Sequence, residues 1–377
     1  MISIKEVITK SELKEFIKFS FTLYKDNPYW IPPLVSDELE TFDKTKNPAF
    51  DTAEARFFMA YKNGTAVGKI AAIINWQEVK EQGKSKMRFG WLDMIDEIEV
   101  TKALLNKVAE IGRENDLEHM EGPLGFSNLD KAGFLTLGYD QIGTAISWYN
   151  HPYYIDHLLQ LGFVKEKEYI EGYFPIENID GPTLQRGSEM VQKRYSVRAL
   201  SFTSSKDIMP YVDEMFDVFN AAYAKLASFV AVTEKQKAYF KNKYIGLINP
   251  GLIKFVLNEK GKMVAFSIMM PDFAPALKKA NGSLLPFGWY HLLKAKNKME
   301  AVAFYLIGIL PEYQNKGIHA ILFSENYKAI SKLGVKRCIR TPELDENNAV
   351  HNLFKSFDSV IHKRRCTYMK PLSRIES

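Results

Sequence analysis

Apolar positions along the chain recur in two rhythms, one of period two and one of spacing three and four, and the switches between them lay out the elements. Residues 2–9 read as a strand and 12–24 as a helix, with Ser11 as the expected cap because a serine hydroxyl accepts one of the unpaired first-turn amide protons. Asn27-Pro28 and Pro32-Pro33 end that helix, and a short helical patch follows at 35–42. The apolar runs 55–61 and 65–74 flank Lys62-Asn63-Gly64, a hairpin signal since Asn-Gly tolerates positive φ. A strand at 87–94, a helix at 100–115, a strand leading into Gly122-Pro123, a helix at 153–161 and a strand at 164–174 complete this half.

Turn residues then accumulate at Asn178-Ile179-Asp180-Gly181-Pro182, and a polar helical link at 183–193 follows. A boundary placed there gives domains 1–180 and 181–377. The second half reads strand 196–202, a Ser204-Ser205 cap, helices 207–224 and 234–244, and strands 252–258 and 263–270. An inserted helix at 284–296 precedes strand 301–310, helix 320–333, strand 336–340, helix 349–357 and strand 361–369. Both halves share the order β-α-α-β-β-β-α-β-α-β, which implies an internal duplication with a period of about 190 residues. Strands interleaved with helices predict an α/β or mixed α+β fold.

Composition narrows the classes. At ~150 residues per domain the 377 residues suggest two domains, and 46% hydrophobic residues suffice for large cores. Lys+Arg 50 against Asp+Glu 45 leaves +5, too thin a basic excess for a nucleic-acid binder. Two cysteines, Cys338 and Cys366, form no disulfide framework, and the start Met1-Ile2-Ser3-Ile4-Lys5-Glu6 lacks the order of a signal peptide, so a reducing cytoplasm is expected. The longest apolar run, 301–310, is half the ~20 residues of a spanning helix, so no membrane partner is expected. His151, His291, His319, His351 and His362 show no ligand spacing, and no metal is expected. The run His362-Lys363-Arg364-Arg365 reads as a solvated strand edge.

The segment that carries chemistry is Tyr305-Leu306-Ile307-Gly308-Ile309-Leu310-Pro311-Glu312-Tyr313-Gln314-Asn315-Lys316-Gly317-Ile318-His319-Ala320. An apolar strand stops at a proline, a polar loop with one glycine follows, and an amphipathic helix begins at once. Such a strand-loop-helix aims backbone N–H groups and the positive end of the helix dipole at one point, which suits a phosphate or pyrophosphate. A side chain in place of Gly317 would block the approach of a ligand to the backbone.

The stretch 309–320 resembles the Val-x-Pro-x-x-[Gln/Arg]-x-x-Gly-x-[Gly/Ala] signature of the GNAT-type N-acetyltransferase superfamily, with His319 where that family prefers Gly or Ala. The resemblance implies two tandem GNAT-like domains, each a mixed sheet flanked by helices. It also implies that the main chain at Ile307 and Ile309 pairs with the pantetheine arm of acetyl-CoA or another acyl-CoA, and that Gln314, Asn315, Lys316, Gly317, Ile318 and His319 cradle its pyrophosphate. Glu346-Asn347-Asn348-Ala349-Val350-His351-Asn352-Leu353-Phe354 is similar to the family's Asn-rich turn, with Asn347 toward the cofactor arm. Phe354 stands at the position of the family's tyrosine, so the usual acid is missing, and Tyr305 and Tyr368 are the candidates to protonate the thiolate. The strand position of the family's glutamate falls near Ala303; Glu300 is close by but reads as a solvated residue. The implied activity is transfer of an acetyl or other short acyl group from acyl-CoA to a small-molecule or peptide amine. The alternative is a non-catalytic acyl-CoA sensor, and transfer of aminoacyl or longer acyl groups is a third possibility.

The first half carries no Gln-x-x-Gly. Its strand, 89–95 with Asp93, passes to its helix through Asp96-Glu97-Ile98-Glu99, and the acidic side chains there would repel a pyrophosphate. This half is expected to keep the fold as a degenerate domain, structural or on the acceptor side. The long loop 121–140, rich in Gly, Ser, Asn and Asp, is either a self-packed Ω-type loop or, with Ser127, Asn128, Asp130 and Tyr149, the lining of an acceptor cleft.

Overall fold

The computed structural model describes residues 1–372 other than Asn128, Ala227 and Ser228. Its strands, in chain order, are β1 (Ile2–Glu6), β2 (Ala53–Lys62), β3 (Thr65–Asn75), β4 (Lys86–Met94), β5 (His119–Gly122), β6 (Phe134–Leu137), β7 (Val164–Pro175), β8 (Val197–Ser201), β9 (Ile253–Asn258), β10 (Met263–Pro271), β11 (Ala301–Ile309), β12 (Arg337–Leu344) and β13 (Val360–Pro371). They fall into two units. The first holds residues 1–170, 277–288 and, of the described residues, 362–372; the second holds 171–276 and 289–361. A single cut after residue 180 therefore does not describe the chain. The last strand, expected to close the second half, pairs antiparallel with β5 of the first unit, Tyr368 opposite Gly122 and Met369 opposite Glu121. Its apolar side chains Cys366 and Tyr368 are buried in the first unit's core. Alternation along a strand tells which face is buried, but not which sheet edge the strand joins.

In the first unit β1 to β4 run antiparallel, β4 and β5 are parallel, and β13 lies beyond β5 with β6 paired to it. Asn63 and Gly64, with φ of 52° and 80°, close the β2–β3 hairpin. The helix Ile98–Glu114 buries Val100, Leu104, Leu105, Val108 and Ile111 at helical spacing, each such side chain worth roughly 1.5–3 kcal/mol relative to exposure. The helix Lys10–Leu23 packs Phe16, Ile17 and Phe19 in a second cluster with Phe57, Met59 and Trp91. Its cap is Thr9 rather than Ser11. Thr9 Oγ1 accepts the Glu12 N–H at 3.2 Å while the Glu12 carboxylate accepts the Thr9 N–H at 2.8 Å, a reciprocal pair that Ser11 cannot form.

In the second unit β8 to β11 run antiparallel, β12 is parallel to β11, and β7 borders β12. The polar link becomes a packed helix, Gly181–Tyr195, capped by Asp180, and a Cβ on Gly181 would lie 2.1 Å from the Tyr327 ring of the helix Ile318–Lys332. Two expected helices are shorter for one reason. Pro210 lacks the N–H that a continuous helix at 207–224 needs, so a 3-10 turn at Met209–Tyr211 separates Ser205–Ile208 from Val212–Tyr223. Pro286 likewise disfavours helix in the residue before it, and the expected helix at 284–296 begins only at Gly288.

Candidate functional site

In the second unit β11 and β12 are paired only from Ala301/Arg337 to Phe304/Arg340. Beyond that point β11 runs on to Ile309 and β12 to Leu344. β11 keeps β10 on one side, Ile307 opposite Ser267 and Ile309 opposite Ala265, and turns its other edge to the gap. The register slips where Ile268 faces Leu306 and Met269 faces Phe304, so Tyr305 is the extra residue of a bulge. A bulge bends its strand and re-aims a side chain. Two side chains reach the edge beyond it: Tyr223 Oη donates to the Ile307 carbonyl at 3.1 Å, and Gln314 Nε2 to the Ile309 carbonyl at 3.1 Å. Burial pushes the Tyr223 phenol up to about 12, so it is a protonated donor at neutral pH.

At the end of β11 a 3-10 turn, Pro311–Tyr313, leads through Gln314 and Asn315 to Gly317, which caps the helix Ile318–Lys332 with its backbone alone. Asn315 and Gly317 have φ of 59° and 77°. A side chain at Gly317 would be strained by that φ and would meet Val191 Cγ2 at 3.1 Å. With no side-chain oxygen over the first turn, the helix presents first-turn N–H groups at its positive end, which favours an anion. The Lys316 ammonium sits over the rings of Tyr195 and Tyr313, at 5.6 and 5.1 Å. Burial pulls the His319 imidazole below its ordinary value, so it is neutral at pH 7. Ile318 is buried in the core beneath the loop, leaving only its main chain for a ligand. Asn347 spends its side-chain oxygen on the Val350 N–H at 3.3 Å, capping the helix Asn348–Phe354.

Phe354 is buried among Phe304, Phe323 and Phe357, and the Arg340 guanidinium lies 4.8 Å over its ring. Arg340 donates through Nε to Glu343 Oε1 at 2.7 Å and through Nη1 to Ser359 Oγ at 2.5 Å. The other oxygen, Glu343 Oε2, is buried without a hydrogen-bond partner, and burial raises the carboxyl above its usual range despite Arg340. Glu343 stands on the stretch of β12 that has left β11. The sequence reading looked for a carboxylate near Ala303 on β11, set Glu300 aside as solvated, and passed over both Glu343 and Tyr223. Arg340-Thr341-Pro342-Glu343, where the strand expected at 336–340 runs on, was the legible signal for the first; nothing local marks the second.

Of the two candidate acids, Tyr305 lies in the second unit and Tyr368 in the first. Tyr368 is 0% exposed within the first unit's apolar core, with its hydroxyl buried and unpaired. The strand exchange that carries β13 to β5 is the reason. Cys338 and Cys366 are likewise divided between the units, both buried, and burial pushes their thiols up to about 12 and about 11, out of nucleophilic range.

In the first unit the matching gap is filled by the chain itself. Parallel pairing of β4 with β5 ends at Arg88/Glu121. The chain then hugs β4: the Leu124 N–H donates to the Phe89 carbonyl at 2.8 Å, and a Cβ on Gly90 or Gly122 would lie 2.4 Å from Leu124 O or 2.3 Å from Phe89 O. Below it Glu78, Lys86, Arg88 and Glu121 form a buried ion network, with Lys86 Nζ 2.9 Å from Glu78 Oε1 and 2.8 Å from Glu121 Oε2, and Arg88 Nη2 2.9 Å from Glu78 Oε2. The three acidic residues just before the helix Ile98–Glu114 have basic neighbours: Asp93 has Lys69 at 3.4 Å, Asp96 has His157 at 3.2 Å and Glu97 has Lys62 at 2.6 Å, while Glu99 lies in the helix's first turn.

The loop 121–140 is pinned from beneath. Arg88 Nη1 donates to the Gly125 carbonyl at 2.9 Å, Asn75 Nδ2 to the Phe126 carbonyl at 2.9 Å, and Arg365 Nη1 to the Gly133 carbonyl at 3.5 Å; beyond the loop Arg365 also donates to Ser147 Oγ at 2.9 Å and to the Trp148 carbonyl. Arg365 and Lys363 are 1% and 2% exposed, which corrects their reading as a solvated edge. Ser127 and Asp130 are spent on each other, Asp130 Oδ2 accepting the Ser127 N–H at 2.8 Å and its hydroxyl at 3.2 Å; Asn128 lies outside the described residues. Tyr149 does line a cavity, of about 40 Å³, together with Tyr24, Lys69, Asp93, Lys131 and Trp148. Asp93 accepts from Ser20 at 2.6 Å, Tyr24 at 2.8 Å and Tyr154 at 3.1 Å, and burial lowers the Lys131 amine. A space of this size holds water rather than a substrate. Among the described residues no group of three or more His, Cys, Asp or Glu could hold a metal ion.

No family model matches the chain. It is 27% identical over 376 residues to Protein YghO of Escherichia coli, covering 98% of this chain and 95% of that protein. It is 25% identical over 384 residues to a Caulobacter vibrioides protein named bacterial ceramide synthase, covering 98% of each. Among solved structures it is similar to a tandem GNAT protein from the clavulanic acid biosynthesis pathway, with a TM-score of 0.58, 10% identity and 100% of both chains covered. It is also similar to a GCN5-related N-acetyltransferase from Sphaerobacter thermophilus, with a TM-score of 0.52, 10% identity and 98% and 96% covered. The likeness to these structures is one of fold.

Proposed function

We propose that this chain, which has the tandem GNAT fold, transfers an acyl group from acyl-CoA to an amine and holds the donor in its second unit. One observation carries the reading: beyond Phe304 the open edge of β11 leads directly into the Gly317 loop and the N-terminus of a helix. Donor pyrophosphate rests on the main chain of Gln314 to His319, and the pantetheine arm follows β11 past Ile309 and Ile307, where Tyr223 gives up its bond to the Ile307 carbonyl. The amine attacks the thioester carbon, forming the C–N bond, and its proton passes to Glu343 Oε2. The tetrahedral intermediate then expels the CoA thiolate. A thiol has a pKa near ~8.5, well below the Tyr223 value of about 12, so Tyr223 can steady the departing sulfur by a hydrogen bond but is too weak an acid to protonate it. Holding amine and thioester in contact supplies much of the rate.

The name of the Caulobacter relative supports a particular substrate class. Ceramide is an amide of a fatty acid with a long-chain amino alcohol, so a lipid amine and an acyl donor longer than acetyl are the first to test. Phe354 favours a second reading, an acyl-CoA sensor, since a phenyl ring at that position offers no proton.

Isothermal titration with CoA, acetyl-CoA and palmitoyl-CoA, followed by thiol release with a panel of amines that includes a long-chain amino alcohol, separates the two. Binding and turnover are expected. Binding with no turnover on any amine supports the sensor, and absence of binding to every CoA species sinks both.

A further inference from the structure

We infer that residues 284–293 dock the protein on the surface of an anionic lipid bilayer. Large apolar side chains are exposed singly over most of the chain, but here six fall within ten residues: Leu284 39%, Leu285 76%, Phe287 68%, Trp289 52%, Tyr290 50% and Leu293 49% exposed. A contiguous apolar patch with a polar rim marks an interaction site. The local backbone is built to present it. Ser283 Oγ donates to the Leu285 carbonyl at 2.9 Å and accepts the Leu285 N–H at 3.2 Å, a tight turn that throws Leu284 and Leu285 outward. The chain passes so close at the next bend that a Cβ on Gly288 would lie 2.0 Å from Ser283 O. In the helix Gly288–Asn297 that follows, Trp289 and Tyr290 share a face with Leu293 at spacings of four and three. Lys296 Nζ donates to the Gly246 carbonyl at 2.6 Å, which sets Leu247 and Tyr244, 54% and 39% exposed, beside the same helix.

Charge selects the partner. Residues 274–298 carry Lys278, Lys279, Lys294, Lys296 and Lys298 and no Asp or Glu. These five lysines equal the whole net charge of +5, so the remainder of the chain is balanced and the basic excess falls in the segment that carries the exposed apolar side chains. Leu and Phe enter the acyl boundary, Trp and Tyr sit at headgroup level with an apolar body and a polar tip, and the exposed Lys279, Lys294 and Lys298 reach anionic headgroups on long stems, while Lys278 and Lys296 donate to the Pro28 and Gly246 carbonyls. A protein partner fits less well, because lysine is depleted at protein interfaces. Among the described residues no helix is long and apolar enough to cross a membrane. The expectation of no membrane partner rested on spanning, and a segment that lies on the surface needs no span. The inference stands apart from acyl transfer, since vesicle binding requires no CoA.

Cosedimentation of the full chain with vesicles of phosphatidylcholine, alone or mixed with phosphatidylglycerol, tests it. Partition onto the anionic vesicles is expected, weakening with salt, with a blue shift of tryptophan emission that is lost in Trp289→Phe. Phe287→Glu and Leu285→Glu should each lower partition about tenfold or more, and Lys294→Glu with Lys298→Glu should lower it on anionic vesicles only. Phe287→Ser, with its urea midpoint measured in parallel, separates loss of docking from loss of fold. Absence of partition onto either vesicle would overturn the inference. So would a concentration-dependent dimer in sedimentation velocity that Phe287→Glu abolishes, since the patch would then be covered by a second copy.

Discussion

In the second unit β11 runs past its parallel neighbour into an open gap and ends at a glycine-capped helix; in the first, β4 reaches the same point of the fold and finds the gap closed by its own chain. Gly90 and Gly122 allow that closure, because any side chain on either would overlap a backbone oxygen. The loop after Gly122 is then fastened by Arg88 at Gly125, Asn75 at Phe126 and Arg365 at Gly133, all three side chains buried. One arrangement thus turns its polar groups on itself and the other leaves a backbone edge and a helix N-terminus open. Glycine serves both ends: it lets the chain approach itself in the first unit, and in the second it lets the backbone turn to a positive φ ahead of the helix. A shared topology therefore says little about which copy binds, and the polar bookkeeping at the strand ends says much.

The contrast can be broken most forcefully in the first unit. Glu78→Ala leaves Lys86 and Arg88 buried without their shared carboxylate, and removal of one partner from a buried pair costs about 3–5 kcal/mol; urea denaturation should show that loss, and an unchanged midpoint would mean the network is solvated in solution. Next comes Gly317→Glu, which puts a negative charge and a disfavoured φ into the loop. CoA affinity by titration should fall roughly 100-fold, and full affinity in this variant would move the donor site away from the loop.

Glu343→Gln should lower kcat by about 10²-fold if the carboxylate accepts the amine proton. The base works only when ionised, and burial raises its pKa, so the rate of the unaltered protein should climb with pH through a value above that of a free glutamate. That limb should vanish in the variant, and an identical pH profile would assign the proton elsewhere. The smallest effect belongs to Tyr223→Phe. It removes one neutral hydrogen bond, worth about 1 kcal/mol, which frees the Ile307 carbonyl and takes the donor from the departing sulfur; CoA should bind a few-fold more tightly while kcat falls a few-fold, and an unchanged kcat would remove Tyr223 from the reaction.

Much of this was legible along the chain. The hairpin at Asn63-Gly64, the strand ending at Pro311, the glycine loop and the Phe in place of Tyr at 354 are local facts, each set by one residue's φ, missing donor or missing hydroxyl. The capping pair at Thr9 and Glu12 and the helix breaks at Pro210 and Pro286 were equally local and were missed only by weighing apolar spacing above backbone chemistry. Tyr149 was brought to a cavity, while Ser127 and Asp130 were turned toward each other.

By itself, then, the sequence determined the order of elements and the glycine-capped loop between β11 and its helix, because periodicity, glycine and proline act within a few residues. Tertiary structure alone decided that β13 belongs to the first unit and takes Tyr368 with it. It also brought Tyr223 to the Ile307 carbonyl across 84 positions and left Glu343 Oε2 buried without a partner. Strand edges and buried polar atoms are satisfied by whatever the fold carries to them, and that partner is chosen in space, far from its place in the chain.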